Sequence, residues 1–251
     1  MTRGAVIGVL GGMGPEATHV FYGHLIAATP AARDQDHVRV FIDSNPGIPD
    51  RTEAVLNLGP SPVPMMLDSI EGLHRAGASF VVIPCVSAHV FIDELRAKSA
   101  LPILSILDCV AEAVMAGGHR RVGLLATDGT LRAGVFARRL RADGIETLTP
   151  SEDDQAAVSA AIRAVKGGAD LSTRSRHARA LDGVASRLRD RGATGLVLGC
   201  TEIPLIYPRP TEADTYDSLR LLALAALRAA GREPVPAEPV PVTAEAVGGR
   251  S

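Results

Sequence analysis

The sequence predicts an α/β protein of two pseudo-symmetric domains, each a mostly parallel sheet flanked by helices, with a site in the cleft between them. Three observations lead there. Short runs of Val, Leu and Ile, such as Phe80-Val81-Val82-Ile83 and Leu196-Val197-Leu198, have the composition of strands buried on both faces. Two of these runs end at a cysteine, Cys85 and Cys200, each followed within two residues by a hydroxyl that could open a helix. The two cysteines are 115 positions apart, and the same offset carries Gly8 onto Gly123, Leu10 onto Leu125, Gly14 onto Gly129, Phe21 onto Phe136, Leu25 onto Leu140, Gly77 onto Gly192, Ala78 onto Ala193 and Val82 onto Val197. A glycine loop, a strand and a cysteine on one offset point to two copies of one α/β unit. Two such copies, facing each other, bring two thiols to one cleft, at the carboxyl ends of strands where open α/β sheets bind ligands.

The elements follow in order. Residues 6–10 read as a strand running into Gly11-Gly12-Met13-Gly14-Pro15, and Pro15 suits the first turn of a helix reaching about Ala28. The glycines permit close backbone approach to a ligand at a helix N-terminus, but neither the Rossmann spacing nor the Walker lysine is present. A strand over 38–43 precedes the turn-rich loop Ser44-Asn45-Pro46-Gly47-Ile48-Pro49-Asp50-Arg51, which can present the Arg51 guanidinium to a carboxylate or hold it as a solvated surface group. Helices are expected over about 65–76 and 87–99, with the strand into Cys85 between them. His89 lies four residues beyond Cys85 and is more often a structural hydrogen-bonder than a catalytic group. A short strand at 103–106 leads to a helix at 108–117 containing Cys109, a small buried hydrophobe.

The second copy opens with a strand at 122–125 and the loop Ala126-Thr127-Asp128-Gly129-Thr130. Its two threonines flanking Gly129 can cradle a carboxylate, or Thr127 or Asp128 can simply cap a helix. A helix from Ser151 to Lys166 stops at Gly167-Gly168; another spans about 176–190 before the strand into Cys200, and a last one covers 217–230. From Gly231 the chain turns to Pro, Glu, Val and Ala without periodicity, which reads as a flexible tail. The expected domains are residues 1–104 plus 208–230, and 105–207, with the tail at 231–251.

Bulk composition narrows the class. Lys plus Arg number 26 against 28 for Asp plus Glu, so no strong field draws the chain to nucleic acid or an anionic membrane. The absence of tryptophan and an aromatic content of 3% argue against recognition of single-stranded nucleic acid by stacking. No apolar run approaches the length of a membrane span. Three widely spaced cysteines and no leader-like start favour a reduced, cytoplasmic setting over a disulfide framework. Lys98 and Lys166 are the only lysines, and neither sits in a recognisable pyridoxal phosphate setting, so chemistry without cofactor or metal is preferred.

Two thiols facing one substrate can invert a stereocentre. A thiolate removes a proton from carbon on one face and the opposite thiol delivers one to the other. The carbanion formed between these steps needs a carboxylate neutralised by preorganised donors, for which Ser87, Thr127, Thr130 and Thr201 are candidates.

The motifs Leu10-Gly11-Gly12-Met13-Gly14-Pro15-Glu16-Ala17-Thr18, Ser44 to Thr52, Pro84-Cys85-Val86-Ser87-Ala88-His89, Ala126 to Thr130 and Gly199-Cys200-Thr201-Glu202-Ile203-Pro204 resemble, in unbroken order, the aspartate racemase branch of the aspartate/glutamate racemase family. The resemblance implies a homodimer, no cofactor, a last helix that returns to the first domain, and interconversion of L- and D-aspartate or glutamate by Cys85 and Cys200. It also implies that Arg51 and Lys166 bind the side-chain carboxylate and that Met13, Ser87 and Thr127 contact substrate. The sequence departs from the family at Val86, where an asparagine that helps hold the substrate head group is usual. It departs again at Asp128, Ala133 and Phe136, in place of Thr, Ser and Tyr. One lost hydrogen bond to a charged group costs about 1.5–3 kcal/mol, enough to change substrate preference. Two alternatives therefore stand beside racemisation: cis-trans isomerisation of an unsaturated dicarboxylate such as maleate by covalent addition of one cysteine, and a degenerate racemase acting as a binding protein.

Overall fold

The computed structural model of the protein describes residues 4–207 and 214–235. It contains two four-stranded parallel sheets of the same strand order. In the first, β2 (Val40–Ser44), β1 (Ile7–Gly11), β3 (Phe80–Val82) and β4 (Ile103–Leu104) lie side by side in that sequence. In the second, β6 (Glu146–Leu148), β5 (Arg121–Leu125), β7 (Gly195–Leu198) and β8 (Thr215–Asp217) repeat the arrangement. The central pairings also repeat: Gly8 lies opposite Val81 and Gly123 opposite Leu196, each of the second pair lying 115 residues beyond its counterpart. The internal offset is thus a structural repeat.

Helices connect the strands as right-twisted parallel sheets require. They are α1 (Pro15–Ala28), α2 (Arg51–Val55), α3 (Val63–Ala76), α4 (Ile92–Lys98), α5 (Ile106–Ala116), α6 (Asp128–Ala133), α7 (Val135–Ala142), α8 (Glu152–Lys166), α9 (Leu171–Asp190) and α10 (Ser218–Ala229). Local chemistry starts most of them. Pro15 occupies the first turn of α1, and the side chains of Asp50, Ser105, Thr127, Ser151, Asp170 and Asp217 accept backbone N–H groups at the starts of α2, α5, α6, α8, α9 and α10.

Alternation along the strands sorts side chains between two cores. Ile7, Val9, Phe80 and Val82 enter a large apolar core that continues through α1, α5 and α10 into the second sheet, whereas Leu10, Val81 and Ile83 enter a smaller one with Met66, Ile70 and Leu73 of α3. Helix α10 lies against both α1 and α5. Beyond it the chain returns to α1, where the Val235 N–H donates to the Ala28 carbonyl at 2.9 Å.

Several boundaries differ from the sequence expectation, each for a local reason. α9 begins five residues earlier than expected because Asp170 caps it through the Thr173 N–H. The stretch 87–99 is a 3-10 turn (Ser87–Phe91) followed by α4. α2, β6 and β8 are too short and too polar to show a period. The expected tail lies outside the described residues from 236 onward, as do residues 208–213 of the segment expected to return to the first domain.

Candidate active site

The site forms where loops at the carboxyl ends of the two sheets meet. On the first sheet, the loop after β1 is folded tightly: the Thr18 hydroxyl accepts the Gly12 N–H at 2.9 Å and donates to the Gly14 carbonyl at 3.0 Å. Gly12 is required there. Its φ is +87°, and a Cβ would fall 2.4 Å from the backbone nitrogen of Asn45. The expected guanidinium is held against this loop, not in solvent. Arg51 is 7% exposed. Its Nη1 donates to the carbonyls of Ile48 at 3.1 Å and Pro49 at 2.9 Å, and its Nη2 to that of Met13 at 3.3 Å. Its Nε is buried with no protein partner.

Cys85 and Cys200 lie just past the ends of β3 and β7, both buried and unpaired by disulfide. Cys85 Sγ lies 3.5 Å from the Ser87 hydroxyl. His89 fixes the Cys85 loop from behind: its Nδ1 donates to the Cys85 carbonyl at 2.9 Å while its Nε2 accepts the Ile106 N–H at 3.1 Å. Burial lowers its pKa to about 4, so the ring is neutral and acts as a two-ended strut. The Val86 side chain turns into the large apolar core, which accounts for an aliphatic residue at this position.

Around Cys200 the structure adds a residue to which the sequence assigned no role. The thiol donates to Oε2 of Glu202 at 3.0 Å, and Thr201 Oγ1 donates to the same oxygen at 3.2 Å. Glu202 is only 3% exposed, and its Oε1 is buried without a partner. Burial and this neighbouring carboxylate push the Cys200 thiol well above the ordinary thiol range, against the opposing pull of Lys166. Cys200 therefore rests protonated. Cys109 is different: burial raises its pKa to about 12 within the core, so it is inert, as expected of a small hydrophobe.

Lys166 ends α8 and is exposed within the cavity it lines. Partial desolvation alone would lower its pKa, but Glu202, Cys200 and Cys85 act together to raise it, with Arg51 opposing them. One ammonium thus feels both thiols and the second cation. The glycine loop of the second unit is a capping device: Thr127 Oγ1 accepts the Thr130 N–H at 3.2 Å and donates to the Thr130 hydroxyl at 3.0 Å. Asp128 accepts from Gln155 and Ser159, and Phe136 is core, so both departures from the family pattern are absorbed by local packing. Gly129 lets the units meet, since a Cβ there would lie 3.0 Å from Thr52 Cα on α2.

A cavity of about 550 Å³ opens between the units, lined by Met13, Arg51 and Lys166 among the expected site residues and by Glu202 and Glu16 besides. Thr127 lines a smaller cavity of about 220 Å³ that shares Asp50 and Lys166 with the first. Cys85, Val86, Ser87, Gly129, Thr130, Cys200 and Thr201 are not among the residues lining either cavity. Arg174 donates to both carboxylate oxygens of the lining residue Glu16, at 2.8 and 3.0 Å, and its Nε donates to the Ala169 carbonyl at 2.9 Å. Among the described residues no group of three or more His, Cys, Asp or Glu side chains is arranged to hold a metal, and no helix is long and apolar enough to cross a membrane.

Comparison with known proteins gives a consistent result. The profile of the Asp/Glu/hydantoin racemase family matches residues 10–226. Picrophilus torridus aspartate racemase superposes with a TM-score of 0.82 at 32% identity, covering 92% of this chain and 96% of that one. The broad specificity amino-acid racemase RacX of Bacillus subtilis is 24% identical over 87% of this chain and 95% of its own length. The glutamate racemase of Deinococcus radiodurans is 33% identical, but over 55% of this chain and 47% of its own.

Proposed function

The chain belongs to the Asp/Glu/hydantoin racemase family, and we propose that it interconverts L- and D-aspartate, with glutamate as a second substrate, by proton transfer between Cys85 and Cys200. The observation that carries this reading is the convergence on one cavity of Arg51 and Lys166, with both thiols electrostatically coupled to the Lys166 ammonium. Two cations suit a substrate with two carboxylates, and two acid/base groups suit a substrate whose α-carbon must lose a proton on one face and gain one on the other.

In one direction Cys200 carries the proton to be delivered and Cys85 is the base for the enantiomer whose α-hydrogen faces it. The Cys85 thiolate forms an S–H bond as the Cα–H bond breaks, and the electron pair passes into the α-carboxylate as an enediolate. Cys200 then gives its proton to the opposite face and becomes the thiolate. The reverse reaction starts from that state. The enediolate is stabilised by donors fixed before the reaction, among them the hydroxyls of Ser87 and Thr130 and the backbone N–H groups beside each cysteine, the hydroxyl protons of Thr127 and Thr201 being already given to Thr130 and Glu202. Aspartate places its side-chain carboxylate at Arg51 Nε and Lys166. This chemistry draws on no cofactor. The reading includes a homodimer in the reducing cytoplasm, where both cysteines remain thiols.

The test is purified protein with L-aspartate in deuterium oxide, following loss of the α-proton by NMR and the D-isomer by chiral chromatography. Exchange together with D-aspartate supports the reading. Conversion of maleate without any exchange at aspartate or glutamate supports isomerisation instead, and binding with no turnover supports a degenerate racemase.

A further inference from the structure

We infer that Glu202 is the specificity-determining residue of this site, its open Oε1 receiving the α-ammonium of the substrate so that the cavity takes an amino dicarboxylic acid in preference to a plain dicarboxylate. This rests on the racemase reading and names the group that makes the substrate an amino acid.

The first support is an unanswered polar atom. Oε2 of Glu202 is occupied by the Cys200 thiol and the Thr201 hydroxyl, while Oε1 is buried without a partner in a residue that lines the cavity. A buried carboxylate oxygen without a donor is unfavourable, and a ligand ammonium would supply one with charge.

The second support is charge. Among the cavity's carboxylates, Glu16 is engaged by Arg174 and Asp50 is engaged by the N–H groups of Thr52 and Glu53. Arg51, Lys166 and Glu202 remain to meet a ligand, two positive charges and one negative. Aspartate carries two carboxylates and one ammonium, the complementary set. Succinate or maleate leaves the Glu202 carboxylate unanswered and repelled.

The third support is reach. Oε2 lies 3.0 Å from Cys200 Sγ, and the two oxygens of a carboxylate are about 2.2 Å apart, which puts Oε1 within about 5 Å of the thiol. The substrate nitrogen is one bond from the carbon that exchanges its proton. A substrate presented to Cys200 therefore carries its ammonium into range of Oε1. Val86 has an aliphatic side chain, held in the apolar core, and so offers the head group no side-chain amide.

Calorimetric titration of the wild-type protein and Glu202→Gln with racemic aspartate and with succinate tests this, since a racemate gives no net heat of turnover; glutamate and glutarate form a second pair. The wild type is expected to prefer the amino acid of a pair by about tenfold or more, as sites built to hydrogen-bond a ligand group reject analogues lacking it. Glu202→Gln should lose that preference through weaker amino-acid binding, with succinate bound as well as before or better, which also reports an intact cleft. Equal loss of both ligands, loss of all binding, or a preference that survives the substitution overturns the inference, while wild-type racemisation keeps the racemase reading standing. A wild type that binds dicarboxylates without preferring amino acids overturns the inference, and it overturns the racemase reading as well when the same protein leaves aspartate and glutamate unracemised.

Discussion

Replacing Arg51 with lysine keeps the charge and removes the fork, which separates two functions of this side chain. The guanidinium spends Nη1 on the carbonyls of Ile48 and Pro49 and Nη2 on that of Met13, leaving Nε for a ligand. A lysine has one nitrogen with three N–H groups. Drawn to the same carbonyls, it has no donor left over; drawn to substrate, it abandons them. A hydrogen bond to a charged group contributes about 1.5–3 kcal/mol, so loss of the substrate contact weakens binding by about 10- to 150-fold. A carbonyl left without its charged donor costs about 1–3 kcal/mol of stability. Racemisation of L- and D-aspartate, followed by circular dichroism alongside thermal unfolding, should show KM raised by that factor for both enantiomers, a smaller fall in kcat and a lower Tm. An unchanged KM with a lower Tm would show that Arg51 only braces the loop, and the carboxylate assignment would fall.

Other substitutions probe the supporting structure. Gly12→Ala places a Cβ in the backbone of Asn45 at a positive φ, so clash and strain together should destabilise the protein by about 2–5 kcal/mol, read as a large loss in chemical denaturation. Arg174→Met removes the bidentate clasp to Glu16 in the cavity lining; with about 1 kcal/mol for such a pair, KM should rise about fivefold with kcat nearly unchanged, and added salt should raise KM in the wild type more than in the variant. His89 carries a linkage signature. Its folded pKa of about 4 lies below the ordinary 6.5, so the unfolded chain takes up a proton first as pH falls. The stability His89 contributes is fully present above pH 6.5 and is lost progressively down to about 4, by about 3 kcal/mol in all. His89→Gln cannot titrate, and its stability should fall less over that window in urea unfolding at stepped pH.

What was legible in the sequence was what repeats or what has a steep chemical preference. Apolar runs ending in cysteine marked β3 and β7 and their loops, and the offset of 115 residues marked the second sheet as a copy of the first. Strands β6 and β8 have only three residues each and include Glu146, Thr147, Thr215 and Asp217, so neither a period nor an apolar run betrays them. Arg51 was visible as a candidate, but its burial was not, because three carbonyls brought together by the fold of two loops satisfy it. Glu202 stands within the motif around Cys200, where no sequence pattern assigns it a role. Its significance lies in a thiol contact and an empty oxygen, both of which depend on how the loop after β7 turns back. Asp128 stands where the family usually has a threonine. The structure shows Gln155 and Ser159 of α8 holding that carboxylate, an exchange of partners no single-sequence pattern exposes.

The central claim is that two cysteines on opposite sides of one substrate exchange its α-proton. Wild type, Cys85→Ala and Cys200→Ala, each incubated with L-aspartate and with D-aspartate in deuterium oxide, test it most directly, with exchange and inversion recorded in the same samples. The account predicts inversion accompanied by deuterium incorporation in the wild type and loss of inversion in both variants. Full-rate racemisation with either cysteine replaced would contradict it.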